Sequence, residues 1–417
     1  MTKSLVHNEN IKSILSRGIE WINVLSTLYL IATLILSFEY QKLAIYLYCI
    51  TTISDIFINH RYNNKWNKTK ISFAVMVIFY LCMWIWHIFD ECNSSSFFHS
   101  ADTRLPFLLF GLIGINTNIN PKIKLKHVAY TMLATSLIVL GFLFFCNYTA
   151  IISIKSINEF REILPIIRFK TLQATHIEFN LYLNCTMAMC FVAIFEIKKR
   201  VTKIVLAIGI VILYISLILN EGRAGFAIAN ILFLVFYCIT IHHYFPKFLV
   251  PSLIIGIVII VTFANGHHRL QIDEIGRDPR NTIWSISTNI IKERPFFGHG
   301  ICSSREKFVE QCTTNSALND FWIFWNSQHP NYNKKRFHCH NVFIESTIEF
   351  GIVGLILSLL IFLLPIILTK NKRQIYMSLF ILIFGIQAMF ESFTFHFQII
   401  LFCWLIYFIL NTKLKED

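Results

Sequence analysis

Charge is what this sequence has least of. Only 15% of its 417 residues are charged, against roughly 25% in a soluble domain. That shortage excludes a soluble globule with a charged surface. Nor do the eleven cysteines include a CxxC pair, so the commonest zinc and redox signatures are missing. Most cysteines (Cys49, Cys82, Cys146, Cys185, Cys190, Cys238, Cys403) sit inside apolar runs, where the thiol behaves as a small hydrophobe. The first residues, MTKSLVHNENIKSILSRG, hold no short apolar stretch ending in a small-residue cleavage site. No cleaved signal peptide is expected, and the first span serves as the insertion signal.

What is abundant is apolar. The chain is 55% hydrophobic with 40 phenylalanines, and its mean hydropathy is +0.58. A spanning helix needs about 20 predominantly apolar residues. Such runs begin near Gly18, Lys42, Ile71, Pro106, Val128, Asn180, Ile204, Phe226, Phe248, Asn341, Ile375 and Ile399. The expected fold is an all-α polytopic membrane protein with about 12 transmembrane helices. Three regions follow: spans and short loops over 1–264, a large loop over 265–340, and the last spans with a tail over 341–417.

The formal net charge of +13 does not describe a nucleic-acid surface, because the basic residues form short clusters between apolar runs. Arg61, Lys65, Lys68 and Lys70 make one; Lys122, Lys124 and Lys126 another; Lys198, Lys199, Arg200 and Lys203 a third; Lys370, Lys372 and Arg373 a fourth. With an even helix count they share one side with the lysines of both termini. The positive-inside rule makes that side the cytoplasm.

Three opposite-side segments stand out. Asp90 to Leu105 is polar and serine-rich, and Thr149 to Thr175 contains IIRFKTL, which suits an interfacial amphipathic helix. The longest runs from about Asn265 to His340, and loops beyond about 12–15 residues are uncommon without a function. Its basic excess (Arg269, Arg277, Arg280, Arg294, Arg305, Lys334, Lys335, Arg336) suits an anionic partner, or a solvated loop facing anionic head groups.

Three motifs map to that side. In NEGRAGFAIAN, Arg223 lies between two spans, flanked by Gly222 and Gly225. It reads as a membrane anchor or as an arginine held against a ligand in a tight turn. In RDPRNTIWSISTNIIKERPFFGHG, Asp278 and Pro279 start an amphipathic helix. Arg280 and Trp284 share one face, and Ile283, Ile286, Ile290 and Ile291 form its apolar stripe. A helix N-terminus beside a guanidinium attracts phosphate oxygens; a solvated surface arginine is the alternative. His299 in PFFGHG reads as a turn residue.

The third motif is HCHNVFIESTIEFGIVG, at the head of a long apolar helix. Its histidines fit a metal site only with further ligands, and Glu345 is turned away from His340. They also fit interfacial packing, or a general base with an ordinary pKa near about 6.5. Asn341 orients that base or caps the helix. Glu345 and Glu349 are expected to partner it or to satisfy neighbouring helices, while Gly351 and Gly354 allow close helix packing. Two arginines and a histidine on one side suit displacement of a lipid diphosphate by a sugar hydroxyl. Few charges fall inside spans, Asp55 being the main exception, so an ion pathway has little support.

The ordered set GRAG, R-x-x-x-W, PFFGHG and HN-x-F-x-E-x-x-x-E-F-G-I-V-G resembles the O-antigen ligase and polymerase superfamily of bacterial envelope glycosyltransferases. The resemblance covers roughly the C-terminal half. It implies a GT-C-like inner-membrane fold with a helix-containing periplasmic loop. It further implies inverting transfer of a glycan from undecaprenyl diphosphate to an acceptor hydroxyl, without metal or cofactor. In a ligase the acceptor is lipid A–core oligosaccharide; in a polymerase it is another glycan repeat. A flippase for the lipid-linked glycan is the reading from a different class. Carried over, Arg223 and Arg280 bind diphosphate and His340 activates the acceptor, with His338 the competing base. Trp284, His338 and Asn341 are expected to contact substrate. Two departures stand: EGR where S-R or T-R is commoner, and the doubled histidine. Cys302, Cys312 and Cys339 share a compartment that permits a disulfide, with Cys92 nearby in the reading.

Overall fold

The computed structural model describes residues 2–412 except 37, 63–64, 91–93, 153–158, 160–162, 165–166, 169–170, 173–174, 221, 245–246, 248–249, 252–253, 255–277, 320, 324–336 and 393–395. Among the described residues the regular structure is helical, and the one β-bridge, between Tyr62 and Thr117, stands alone. The main helices are α1 (Thr2–Thr33), α2 (Phe38–Ile58), α3 (Lys70–His87), α4 (Ser94–Asn116) and α5 (Leu125–Cys146). There follow α6 (His176–Glu196), α7 (Arg200–Leu219), α8 (Arg223–Tyr244), α9 (Arg280–Glu293) and α10 (Ile301–Thr314). The chain closes with α11 (Val342–Ile367), α12 (Asn371–Phe390) and α13 (His396–Asn411).

Every expected span start except that near Phe248 falls within or at the head of one of these helices; the Phe248 run lies largely outside the described residues. Among the described residues, seven helices (α3, α5 to α8, α11 and α12) are long and apolar enough to cross a membrane. The protein is therefore a helical membrane protein. α13 offers only a shorter apolar helix, Gln398–Asn411.

Burial sorts the helices. α6 is buried continuously from Phe179 to Ala193, and α13 from Ile399 to Leu410. Helices enclosed on every side lie inside a bundle, and α6 carries its buried Asn180, Asn184 and Thr186 there. The outer helices point large apolar side chains away from the protein: Ile138 and Phe145 on α5, Ile204, Ile208 and Ile215 on α7. In water such a surface would be a liability; against lipid it is the favoured one.

A second, smaller core lies apart from the bundle. It joins Ile283, Ile286 and Ile290 of α9, Phe308 and Cys312 of α10, and Leu318, Trp322, Phe337 and Cys339 to Ile348 of α11. The isoleucine stripe read from the sequence thus packs a lobe formed by the long loop. Ser287, which interrupts the stripe, is buried with its hydroxyl donating to Ile283 O at 2.9 Å, so the polar atom is satisfied within its own helix.

The long helix expected from Asn341 onward is not continuous. Gly351 takes φ +64° and ψ −151° and breaks α11. The PFFGHG turn fills the break: Ile352 N donates to Pro295 O, His299 N to Ile348 O, and Gly300 N to Glu349 O, each at 2.9 Å. Helix carbonyls left unpaired by the kink are satisfied by the loop. Gly351 therefore serves a backbone joint rather than the close helix packing expected of it. The interfacial helix expected over Thr149 to Thr175 falls largely outside the described residues; of those described, Ile167 and Arg168 are buried. Arg168 donates to Asn220.

Candidate functional site

α9 begins at Arg280 because Asp278 accepts its backbone N–H at 3.0 Å. This places the guanidinium at the first turn, where Nη2 donates to Glu391 Oε1 at 2.8 Å. One turn on, Trp284 Nε1 donates to Cys339 O at 2.9 Å. That bond pins the backbone immediately before His340. Trp284 thus holds the histidine segment; its ring lies near Phe390, at 6.4 Å between centroids.

His340 itself adopts φ +54°, a left-handed backbone that is uncommon outside glycine and concentrates at functional sites. Its Nδ1 lies 2.9 Å from Glu391 Oε2. A carboxylate at Nδ1 fixes the tautomer with the proton on that nitrogen and leaves Nε2 with its lone pair outward. Glu391 thus holds both groups, one on each oxygen, and its side chain is only 7% exposed.

Asn341 caps α11: its Oδ1 accepts from Phe343 N and Ile344 N, both at 3.0 Å. Its Nδ2 donates to Met389 O at 3.0 Å, tying the start of α11 to the end of α12. Of the two roles open in the sequence, the structure records capping.

The glutamates of the motif go elsewhere. Glu349 forms a two-pronged pair with Arg104 of α4, both contacts at 2.8 Å, and Glu345 has no hydrogen bond with the histidine. Of the two roles open to them in the sequence, Glu349 takes the second and satisfies a neighbouring helix, while the partner of His340 is Glu391. The helical phase explains why, since Glu345 and Glu349 follow the cap on the face turned toward α4. Glu391 was missed because nothing in sequence spacing links it to His340. The available signal was an acidic residue closing the otherwise uncharged outer half of α12.

His338 stands beside His340, the ring centroids 4.3 Å apart. Its Nδ1 is shut off from solvent with no hydrogen-bond partner among the described residues. Burial, then the neighbouring His340, Arg305 and Arg280, hold its pKa well below the usual imidazole range. His338 is a neutral ring with little appetite for a proton. Among the described residues no group of three or more metal-ligand side chains converges.

Arg223 opens α8, and its side chain lies outside the described residues, so its expected approach to Arg280 and His340 is unplaced. Its glycines have a local role. A Cβ at Gly225 would come within 2.5 Å of Asn180, and one at Gly222, where φ is +119°, within 2.8 Å. Both let the head of α8 close on α6, where Asn184 donates to Gly225 O at 3.1 Å.

Outside the motifs, Asp90 accepts Cys302 N at 2.8 Å and Ser303 N at 3.3 Å, capping α10 with a negative charge at its N-terminus. Cys302 is disulfide-bonded, whereas Cys312 and Cys339 are free and buried.

Residues 181–359 match the sequence profile of a family described as O-antigen ligase. No curated protein and no solved structure matches the chain. The matched segment contains Arg223, Arg280, Trp284, His338, His340 and Asn341; Glu391 lies beyond it.

Proposed function

From a segment, 181–359, that belongs to the O-antigen ligase family, we propose that the protein is the ligase of lipopolysaccharide assembly. It moves polysaccharide from undecaprenyl diphosphate to a sugar hydroxyl of lipid A–core. The observation that carries this reading is the Arg280–Glu391–His340 cluster, in which one carboxylate holds a guanidinium and an imidazole together.

The chemistry balances as a single displacement. The acceptor hydroxyl oxygen forms a bond to the anomeric carbon of the donor glycan while the bond from that carbon to the diphosphate oxygen breaks, with inversion. The hydroxyl proton passes to His340 Nε2, and Glu391 stabilises the resulting imidazolium. Negative charge grows on the leaving diphosphate, where Arg280, and Arg223 from α8, compensate it. Trp284 and Asn341 keep the histidine segment in register, and His338, being held neutral, is the poorer base. No metal or cofactor takes part in this scheme.

The same reading puts the site on the periplasmic face of the inner membrane, with both termini cytoplasmic and about twelve spans in a GT-C-like arrangement. Residues 1–264, 265–340 and 341–417 then divide into spans, periplasmic lobe and closing spans. The disulfide at Cys302 supports this sidedness, since such bonds persist in the periplasm and not in the cytosol.

Purified protein given lipid-linked glycan and lipid A–core, with EDTA present, is expected to form the joined product. Wild-type rates from both Arg280→Ala and His340→Ala would sink the mechanism. In cells, loss of the protein should leave long polymer on undecaprenyl diphosphate and bare core. Core capped by one repeat would instead identify a polymerase, and lipid-linked single repeats on the cytoplasmic side a flippase.

A further inference from the structure

α3 and α11 pack on each other, and each turns a stripe of large apolar side chains outward. On α3 the stripe is Ile71, Ile78, Leu81 and Ile85, continued just past its end by Ile88 and Phe89. On α11 it is Ile352, Ile356, Leu359, Leu363 and Ile367. Steps of three, four and seven residues keep each set on one helix face. With no protein against them, such faces belong to lipid.

The stripe of α11 is too short for that task. Before the kink, from Val342 to Phe350, none of its side chains is exposed. From Ile352 to Ile367 the helix rises about 22 Å, against roughly 30 Å for a hydrocarbon core. The PFFGHG turn stands where the stripe stops, with Ile352 N donating to Pro295 O at 2.9 Å. It also meets the end of α3: Trp86 Nε1 donates to Phe297 O, and the two rings lie 6.4 Å apart. Phe296 and Phe297 are 68% and 69% exposed, and Ile88 and Phe89 are 77% and 83% exposed. Asp90, the acid next to them, is turned away into the head of α10, where it accepts Cys302 N and Ser303 N. Immediately before the turn, Lys292 and Arg294 are exposed.

We propose that this turn is a membrane anchor, with Phe296 and Phe297, and Ile88 and Phe89 at the end of α3, entering the acyl edge of the leaflet beside the lobe. Aromatic rings at that depth, with basic groups at the level of the lipid phosphates, are the usual make-up of a protein–lipid boundary. A surface for a soluble partner would be an island rimmed by polar side chains; this one continues two lipid-facing stripes. The hydrogen bonds that seat the turn use main-chain atoms, which leaves both rings to the lipid. α9 runs directly into the anchor, so the element that carries Arg280 and Trp284 is held on the bilayer. The inference needs only a helical membrane protein and is independent of the glycosyl-transfer reading.

The test places p-benzoylphenylalanine at Phe296 or Phe297 of the full-length protein, in nanodiscs of phosphatidylethanolamine and phosphatidylglycerol. After irradiation, mass spectrometry should find phospholipid adducts at both positions, as at Ile356 in the α11 stripe. Glu310, exposed on α10, should give none. Crosslinks to a second copy in place of lipid would make the patch a contact between proteins, and no adduct of either kind would leave it in water; both outcomes overturn the anchor. Unfolding midpoints verify that each substituted protein is folded. The unsubstituted protein supplies a second readout. Hydroxyl-radical footprinting in the same nanodiscs should spare Phe89, Phe296 and Phe297, and oxidise them after denaturation. Oxidation of the folded protein as fast as that of the denatured chain would also overturn the proposal.

Discussion

Glu391 and His340 lie 51 positions apart in sequence and 2.9 Å apart in space. The same carboxylate reaches Arg280 at 2.8 Å from the opposite side, 111 positions away. Glu391→Gln therefore should lower turnover by about a hundredfold or more, because it removes the charge that stabilises a protonated His340. Its combination with Arg280→Ala should cost less than the sum of the single losses, since both act through one carboxylate. Steady-state transfer rates for the two singles and the double variant check this; strict additivity contradicts a shared role.

The joint between the PFFGHG turn and α11 is made by three glycines at positive φ, Gly298, Gly300 and Gly351. A Cβ on Gly351 would meet Phe296 C at 2.3 Å, and one on Gly298 would meet Glu349 C at 2.5 Å. Gly351→Ala and Gly298→Ala should each destabilise the protein by about 1–3 kcal/mol from backbone strain, before the clash is added. Gly385, in α12 with nothing within 4 Å of its Cβ position, is the contrast: Gly385→Ala should stabilise by up to about 1 kcal/mol. Unfolding midpoints in detergent, compared across the three, give the order.

Arg104 and Glu349 form a nearly enclosed pair, 15% and 7% exposed. Arg104→Ala leaves a carboxylate without its countercharge and should cost about 3–5 kcal/mol. Replacing both, as Arg104→Met with Glu349→Leu, should recover most of that loss. A double variant as unstable as the single would mean that the pair itself, and not the stranded charge, sets the stability.

His338 gives the fold a pH dependence of predictable sign. Its pKa in the folded protein is depressed, by burial first and then by His340, Arg305 and Arg280. In the unfolded chain the ring takes up a proton below about pH 6.5, while in the folded protein it does not. The unfolded state therefore gains as pH falls, and stability should decline from about pH 6.5 downward. Above that range the ring is neutral in both states and contributes no slope. His338→Gln should flatten the fall in unfolding midpoint between pH 7 and pH 5; an unchanged fall would assign it to other groups.

Cys312 and Cys339 should resist maleimide in the native protein. Burial pushes the Cys312 thiol up to about 12 and Cys339 well above its usual range, so neither supplies the reactive thiolate. Labelling that appears only after denaturation, counted by mass spectrometry, is the expected pattern.

Much of the framework was legible because it depends on local pattern. Apolar length marked the helices, and the Asp278–Pro279 start and the isoleucine spacing marked α9 and its buried face. The histidine segment and Arg280 were legible from residue chemistry, and they do come together. Glu391 and Arg104 were not, because each meets its partner only through packing of helices far apart in sequence. The kink at Gly351 was hidden for a related reason: EFGIVG is uniformly apolar around its glycines, and only the docked turn reveals where the helix opens. Asp55, the main exception to the charge-poor spans, pairs with Arg61 at 2.7 Å, and Arg61 also contacts Glu20. The acid therefore belongs to an ionic cross-link between α1, α2 and the chain that follows.

The break in α11 has a consequence for inheritance. The contacts that seat the turn in the kink run between main-chain atoms, from Pro295 to Ile352, so they do not depend on the side chains of Phe296 and Phe297. Phe296 and Phe297, both largely exposed, are free to drift without loosening the seat of the histidine segment. What must be transmitted is spacing and three glycines. Selection on lobe chemistry can thus proceed almost independently of selection on the bundle, provided no residue is inserted or lost at that seam.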